Sequence, residues 1–129
     1  MYEAFNRNVF AQVQAQASGD LEVVLVAFGQ TVHGPKGFAE FLQGFKSAFP
    51  DITITLTNQI ATEDRVVSEF IARGTHSGPF QTPAGVIPPT GRTIDYPACE
   101  VWEMKGGRVT SIHNYFDSAT VLRQLGLST

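Results

Sequence analysis

From Thr110 to Asp117 the chain reads Thr-Ser-Ile-His-Asn-Tyr-Phe-Asp. In an extended conformation Ser111, His113, Tyr115 and Asp117 share one face, while Thr110, Ile112, Asn114 and Phe116 share the other. The first set is a row of polar and ionisable groups. If that row lies on the concave side of a sheet beneath an apolar helix, it lines a pocket where burial shifts pKa values and favours proton transfer. His113 and Asp117 cannot form a dyad unaided, because four residues of strand separate them by about 13 Å. Partners have to come from other elements, and the candidates are His76, Glu100 and His33.

Each of these residues also has a plainer role open to it. Asp117 precedes a helical segment and suits an N-cap. His113 fits a hydrogen-bonded imidazole, Tyr115 an amphipathic wall and Glu100 a structural ion pair. His76 and His33 sit beside loops, where exposure is the default. Other chemistries find little support. The sequence holds no glycine-rich phosphate loop, no Gly-x-Ser-x-Gly and no His-x-x-x-His pair. Cys99 has no adjacent cation to turn it into a nucleophile.

The elements that must position these groups follow from periodicity. Tyr2, Phe5, Val9, Val13 and Ala17 recur at helical spacing, and Ser18-Gly19 ends that run. Asp20 to Phe28 is ambiguous, since Val23-Val24-Leu25-Val26 suits a buried strand whereas Asp20 suits a helix cap. Gly34-Pro35 opens a helix with a phenylalanine ridge, Phe38, Phe41, Phe45 and Phe49 with Leu42, which Pro50 stops. From Ile52 the period becomes two, predicting a strand that turns at Thr62–Arg65 and returns from Val66 to Thr75. Gly78 to Gly91 carries four prolines and reads as a loop long enough to act as a lid. Arg92 to Met104 is a third strand, with Pro97 hinting at an edge or bulge. Lys105-Gly106-Gly107-Arg108 is a hairpin turn and Val109 to Phe116 a fourth strand. Ser118 to Leu125 closes as a short helix stopped by Gly126. Helices followed by an antiparallel meander give an α+β class, with the Phe-rich helix on one face of a curved sheet.

Composition narrows the function classes. At 129 residues, 43% hydrophobic and 16% charged, the chain is one domain, residues 1–129, able to build its own core. A single cysteine excludes an intramolecular disulfide and multi-cysteine zinc sites. The net charge of −3 and scattered cations lack the footprint of a nucleic-acid binder. The longest apolar run, Val23 to Phe28, is far below the roughly 18 residues of a membrane span. The amino-terminal residues do not resemble a signal peptide, which leads us to expect a cytoplasmic protein.

Five segments, in order, carry a family resemblance: Ala48-Phe49-Pro50-Asp51; Gly74-Thr75-His76-Ser77-Gly78-Pro79-Phe80; Pro88-Pro89-Thr90-Gly91-Arg92; Lys105-Gly106-Gly107-Arg108-Val109; and Asp117 followed by Leu122-Arg123-Gln124-Leu125-Gly126. From Gly19 onward the chain resembles the SnoaL-like polyketide cyclases. That resemblance implies the nuclear transport factor 2-like fold, a cone-shaped barrel in which a strongly bent sheet wraps around N-terminal helices, usually as a homodimer. It implies a short helix over Asp20 to Phe28 and a brief strand over Gln30 to His33. It further implies ring closure by intramolecular aldol condensation without metal or cofactor, with Asp117 as general acid/base. Many relatives carry Trp four residues before that aspartate, where this chain has His113.

The leading expectation is therefore a cofactor-free enzyme acting on a small, largely apolar carbonyl compound by cyclisation or isomerisation. Asp117 is expected inside the cone with a raised pKa, assisted by His113, Tyr115 or His76 as donor to the enolate oxygen. Tyr115, Glu100, His33, Phe38, Phe41, Phe45 and Trp102 are expected to bind the substrate. Two rival classes are a non-catalytic carrier of a small hydrophobic ligand and a pure dimerisation module, with Ile112 and Phe116 forming an outer contact.

Overall fold

The computed structural model describes residues 16–82 and 85–127. The helix expected at the amino terminus falls outside these residues apart from Gln16 and Ala17, and Ala17, with Ser18 and Gly19, belongs to a strand. The described elements are β1 (Ala17–Leu25), a 3-10 turn (Val26–Phe28), β2 (Gln30–His33), α1 (Gly34–Ala48), β3 (Thr53–Ala61), β4 (Arg65–Thr75), β5 (Phe80–Thr82), β6 (Gly85–Ile87), β7 (Thr93–Lys105), β8 (Arg108–Phe116) and α2 (Ser118–Gln124).

Six strands form one mixed sheet in the order β2-β1-β8-β7-β4-β3. Every pairing is antiparallel except β1 with β8, which is parallel. The sheet ends at β2 and β3 and does not close on itself, so the barrel expected from the resemblance is an open, α1-covered sheet. Residues 20–25 correct the implied helix. Leu21, Val23 and Leu25 are buried while Glu22 is exposed, the period-two pattern of a strand, and the β-branched run favours it. The brief strand over Gln30 to His33 is present as β2.

The helix α1 starts with Pro35 in its first turn and ends where Phe49 donates its backbone N–H to Phe45 O at 2.9 Å. Phe38 joins one buried cluster with Leu21, Val23, Trp102 and Ile112. Phe49 joins a second, with Ile52, Phe70, Phe80 and Tyr96. Phe28 and Leu42 pack against both. The hairpin between β7 and β8 turns on Gly106 and Gly107, both at positive φ (60° and 77°), where L side chains are strained.

Two local expectations are refined. The proline-rich stretch is no plain loop: it holds the separate ribbon β5–β6. Pro97 lies inside an unbroken β4–β7 ladder. Its other flank is bare because β8 pairs only from Ala98 onward, so no donor is required of it there.

Candidate active site

Under α1 the concave face of the sheet encloses a cavity of about 90 Å³. Phe38, Phe41, Leu42 and Phe45 form its helical wall, and Val23, Leu25, Ile54 and Phe70 contribute from the sheet. Among the described residues the lining is apolar apart from one cluster. Glu100 Oε1 accepts a hydrogen bond from Trp102 Nε1 at 3.0 Å, and its Oε2 accepts one from Asn114 Nδ2 at 2.8 Å. Tyr96, on the same face of β7 as Glu100 and nearer the start of that strand, also reaches the cavity. Burial, and then the negative charge of Glu100, push its phenol far above the ordinary range, so it stays protonated.

Register explains why these groups meet. Gln59, Ser68, Glu100 and Asn114 are successive cross-strand partners on β3, β4, β7 and β8, and so form a polar row across the inner face. Gln59 Nε2 donates to the buried Ser68 Oγ at 3.0 Å. A carboxylate held by two donors on a greasy wall has a fixed orientation, which is what proton transfer to or from a bound ligand needs.

The family model for SnoaL-like polyketide cyclases matches residues 1–125. The chain belongs to that family. Among solved structures it is similar to IdmH, a candidate polyketide cyclase from Streptomyces antibioticus, at 28% identity and a TM-score of 0.80, covering 97% of this chain and 92% of that one. A candidate polyketide cyclase from Xanthomonas campestris pv. campestris follows the same fold at 24% identity and TM-score 0.81, over 96% and 90% of the two chains. So does a hypothetical protein with a ketosteroid isomerase-like fold from Catenulispora acidiphila DSM 44928, at 20% identity and TM-score 0.81, over 98% and 88%. No curated protein sequence matches the chain.

Within this SnoaL-like frame, the residues expected to do the chemistry lie elsewhere. Asp117 does not enter the hollow. It is exposed and caps α2, accepting from Ala119 N at 3.0 Å and from Thr120 Oγ1 at 2.9 Å. The Thr120 hydroxyl first, and the Ala119 amide second, hold its carboxyl below the usual range, opposite to the raised pKa expected. His113 and Tyr115 point to the convex side, where both are exposed and their rings lie 6.5 Å apart. His33 is exposed at the N-cap position of α1 and does not line the cavity.

His76, a candidate donor in the hollow whose plainer reading beside a loop is exposure, is fully buried but outside the cavity. Its backbone bonds both ways with the far end of the proline-rich stretch, N–H to Arg92 O and C=O from Gly91 N, each at 2.8 Å. Its Nδ1 accepts from Thr90 N at 3.3 Å and lies 3.0 Å from Thr90 Oγ1, which places the ring proton on Nε2. That Nε2 is buried without a partner in hydrogen-bond geometry. Phe49 and Phe80 pack on the ring at 5.2 and 6.3 Å. Burial lowers its pKa, offset in part by the Gly78 backbone. His76 thus clips the loop to the core and does not line the cavity.

Glu100, Trp102, Phe38, Phe41 and Phe45 do come together around the cavity. Asn114, Tyr96, Phe28 and Phe116 line it too, and sequence reasoning passed over all four. The available signal was apolar weight: of the two faces of β8, the one carrying Ile112 and Phe116 is the greasier and should face the core. The same inversion overturns the outer contact assigned to Ile112 and Phe116. Ile112 is 1% exposed, opposite Val23 and Trp102, and Phe116 packs inward at 5.2 Å from Tyr96. Among the described residues no three His, Cys, Asp or Glu side chains converge as a metal site, and no helix is long and apolar enough to cross a membrane.

Proposed function

We propose that this protein is a cyclase or isomerase-like enzyme that moves a proton on a small, largely apolar carbonyl compound held beneath α1, with Glu100 as the proton-handling group. The observation that carries this reading is the oriented Glu100 carboxylate, the sole acidic side chain among the described lining residues of an otherwise greasy cavity. In the forward step a Glu100 oxygen takes the proton from the carbon beside the carbonyl, and the C–H electron pair becomes the enolate. The neutral Tyr96 phenol and the Asn114 amide are the donors at hand for the developing oxyanion. Attack of that enolate on a second carbonyl of the same molecule closes a ring, and the proton returns to the new alkoxide. Return of the proton to a different carbon gives isomerisation. Neither route calls on a metal or cofactor.

Asp117 is the discriminating control, since family resemblance assigns it this role while its geometry is that of a helix cap. The test is α-proton exchange of acetophenone in deuterated buffer, followed by proton NMR. Glu100→Gln should lower the rate by about 10²–10⁴-fold with affinity nearly intact, whereas Asp117→Asn should exchange at close to the wild-type rate. The opposite pattern would return the chemistry to Asp117. Binding without exchange in the wild type would favour the carrier reading, which draws support from the two structural donors already engaging Glu100.

The protein is also proposed to act as a homodimer through the convex face. Val24, His113, Val101, Val67 and Ile60 form a continuous cross-strand row there, and Ile60 is 60% exposed. Four β-branched side chains flanking one imidazole on an outer sheet surface are well suited to pairing with a second copy.

A further inference from the structure

The cavity holding Glu100 has a neighbour. A second space, of about 360 Å³, lies between the β5–β6 ribbon and α2, walled by Phe80, Val86, Ile87, Val121 and Leu122. Both spaces share two lining residues, Phe28 and Phe116. Their rings meet edge to face at 5.4 Å, with Phe28 also against Phe80 at 6.1 Å and Phe116 against Tyr96 at 5.2 Å. The pair stands as a partition between a small inner chamber with a polar end and a larger, apolar outer one.

Size decides what this means. An apolar hole of about 150 Å³ is what holds a benzene molecule, and the inner chamber, at about 90 Å³, is smaller. It has room for a carbonyl and its nearest carbons, so a ring, whether already present or newly closed, extends past the partition. The outer chamber falls within the range of small-molecule pockets. The partition stands at the ends of two elements. Phe28 sits on a 3-10 turn that lacks a side-chain cap and ends at Gly29 with φ 64°, and Phe116 is the last residue of β8. Both rings are half-buried, and each borders the two spaces.

We infer that Phe28 and Phe116 are the gate of a single elongate site. The carbonyl end of the ligand passes between them to Glu100 and Asn114, and the remaining rings or chain stay in the outer chamber. The inference rests on the reading of Glu100 above and adds the substrate class, a molecule longer than one ring with its reactive carbonyl at one end. It makes Phe28, Phe116 and the exposed face of Leu122 determinants of length specificity.

The experiment uses the protein's single tryptophan, Trp102, which lines the inner chamber and reports its filling by fluorescence. Acetophenone, 2-acetylnaphthalene and 2-acetylanthracene, with one, two and three rings, are titrated while quenching of Trp102 is followed. Affinity should rise about tenfold with each added ring as apolar surface is buried. Leu122→Lys, a change at a 38% exposed position on α2, should abolish the gain from the second and third rings. Phe28→Leu should speed association of the three-ring probe in stopped flow. Equal affinities for the three probes, insensitivity to Leu122→Lys, or failure of all three to quench Trp102 would overturn the inference. Failure here is separable from failure of the proton-transfer reading. If acetophenone exchanges its α-protons through Glu100 but extra rings add nothing, the gate falls alone; if ring dependence holds in a protein that exchanges nothing, the chemistry falls alone.

Discussion

Two glycine-to-alanine substitutions, thirty-four positions apart, should move stability in opposite directions. Gly78 lies where the chain leaves β4 and presses against the end of α1. Its N–H and that of Ser77 both donate to Ala48 O, each at 3.1 Å. A Cβ at Gly78 would stand 2.1 Å from Ser47 O, and a backbone oxygen at the end of a packed helix has nowhere to go. Relieving the clash means opening the contact by about 1 Å and losing both hydrogen bonds, at about 1 kcal/mol each, with added strain where Phe80 and His76 pack. Gly78→Ala should therefore cost about 2–4 kcal/mol, lowering the melting temperature by roughly 10 °C and the urea midpoint by about 1–2 M. Gly44 is the control: it sits inside α1, is exposed, and a Cβ there meets nothing within 4 Å. Gly44→Ala should stabilise by about 0.5–1 kcal/mol, because alanine loses less backbone freedom on entering a helix. Urea unfolding of both variants beside the wild type decides the matter. A Gly78→Ala protein as stable as its parent would mean that the loop does not need this close approach, and the account of how His76 and Phe80 are placed would be wrong.

Two further outcomes are expected. Folded His76 resists protonation because it is buried, so above about pH 6.5, where the unfolded chain's imidazole is also neutral, it adds no pH dependence. As pH falls below that value the unfolded state takes up the proton and the folded one does not, so stability declines; His76→Gln should flatten this acid limb in denaturation midpoints measured from pH 7.5 to 5, and an unchanged slope would clear His76 of the effect. On the convex face, Val67→Asp places a charge between Ile60 and Val101. Sedimentation velocity should show wild-type dimers becoming monomers, and a wild type that sediments as a monomer at micromolar concentration would remove that face as an interface.

Most of the element plan was legible because it follows from local rules. Pro35 and Pro50 bracket α1, the Ile52-Ile54-Leu56 alternation announces β3, and Gly106-Gly107 demands a hairpin. Residues 20–25 divided the signals, a good helix cap at Asp20 against the β-branched Val23-Val24, and the parallel neighbour β8 settled the contest in favour of a strand. Such pairing is long-range and leaves no mark on the segment itself. The site was harder for a related reason. Period two fixes which residues of β8 go together but not which set faces inward, and attention to ionisable groups drew His113 and Asp117 into the pocket when apolar weight favoured Ile112 and Phe116. The Glu100–Asn114 bond depends on cross-strand register, which a single sequence does not specify. The tight fit at Gly78 was present only as one letter of a familiar motif.

The parallel seam between β1 and β8 bears on how the molecule assembles. Val23 and Ile112 are partners across on the order of ninety intervening residues, a closure that carries a large entropic penalty before any contact rewards it. On a ribosome, β1 with its hairpin mate and the β3–β4 pair can each form early, yet nothing joins them into one sheet until β7 and β8 have emerged. Asn114 arrives with that last strand, so the pocket is completed at the same moment as the sheet, and a chain halted before β8 would carry two half-sheets and no site.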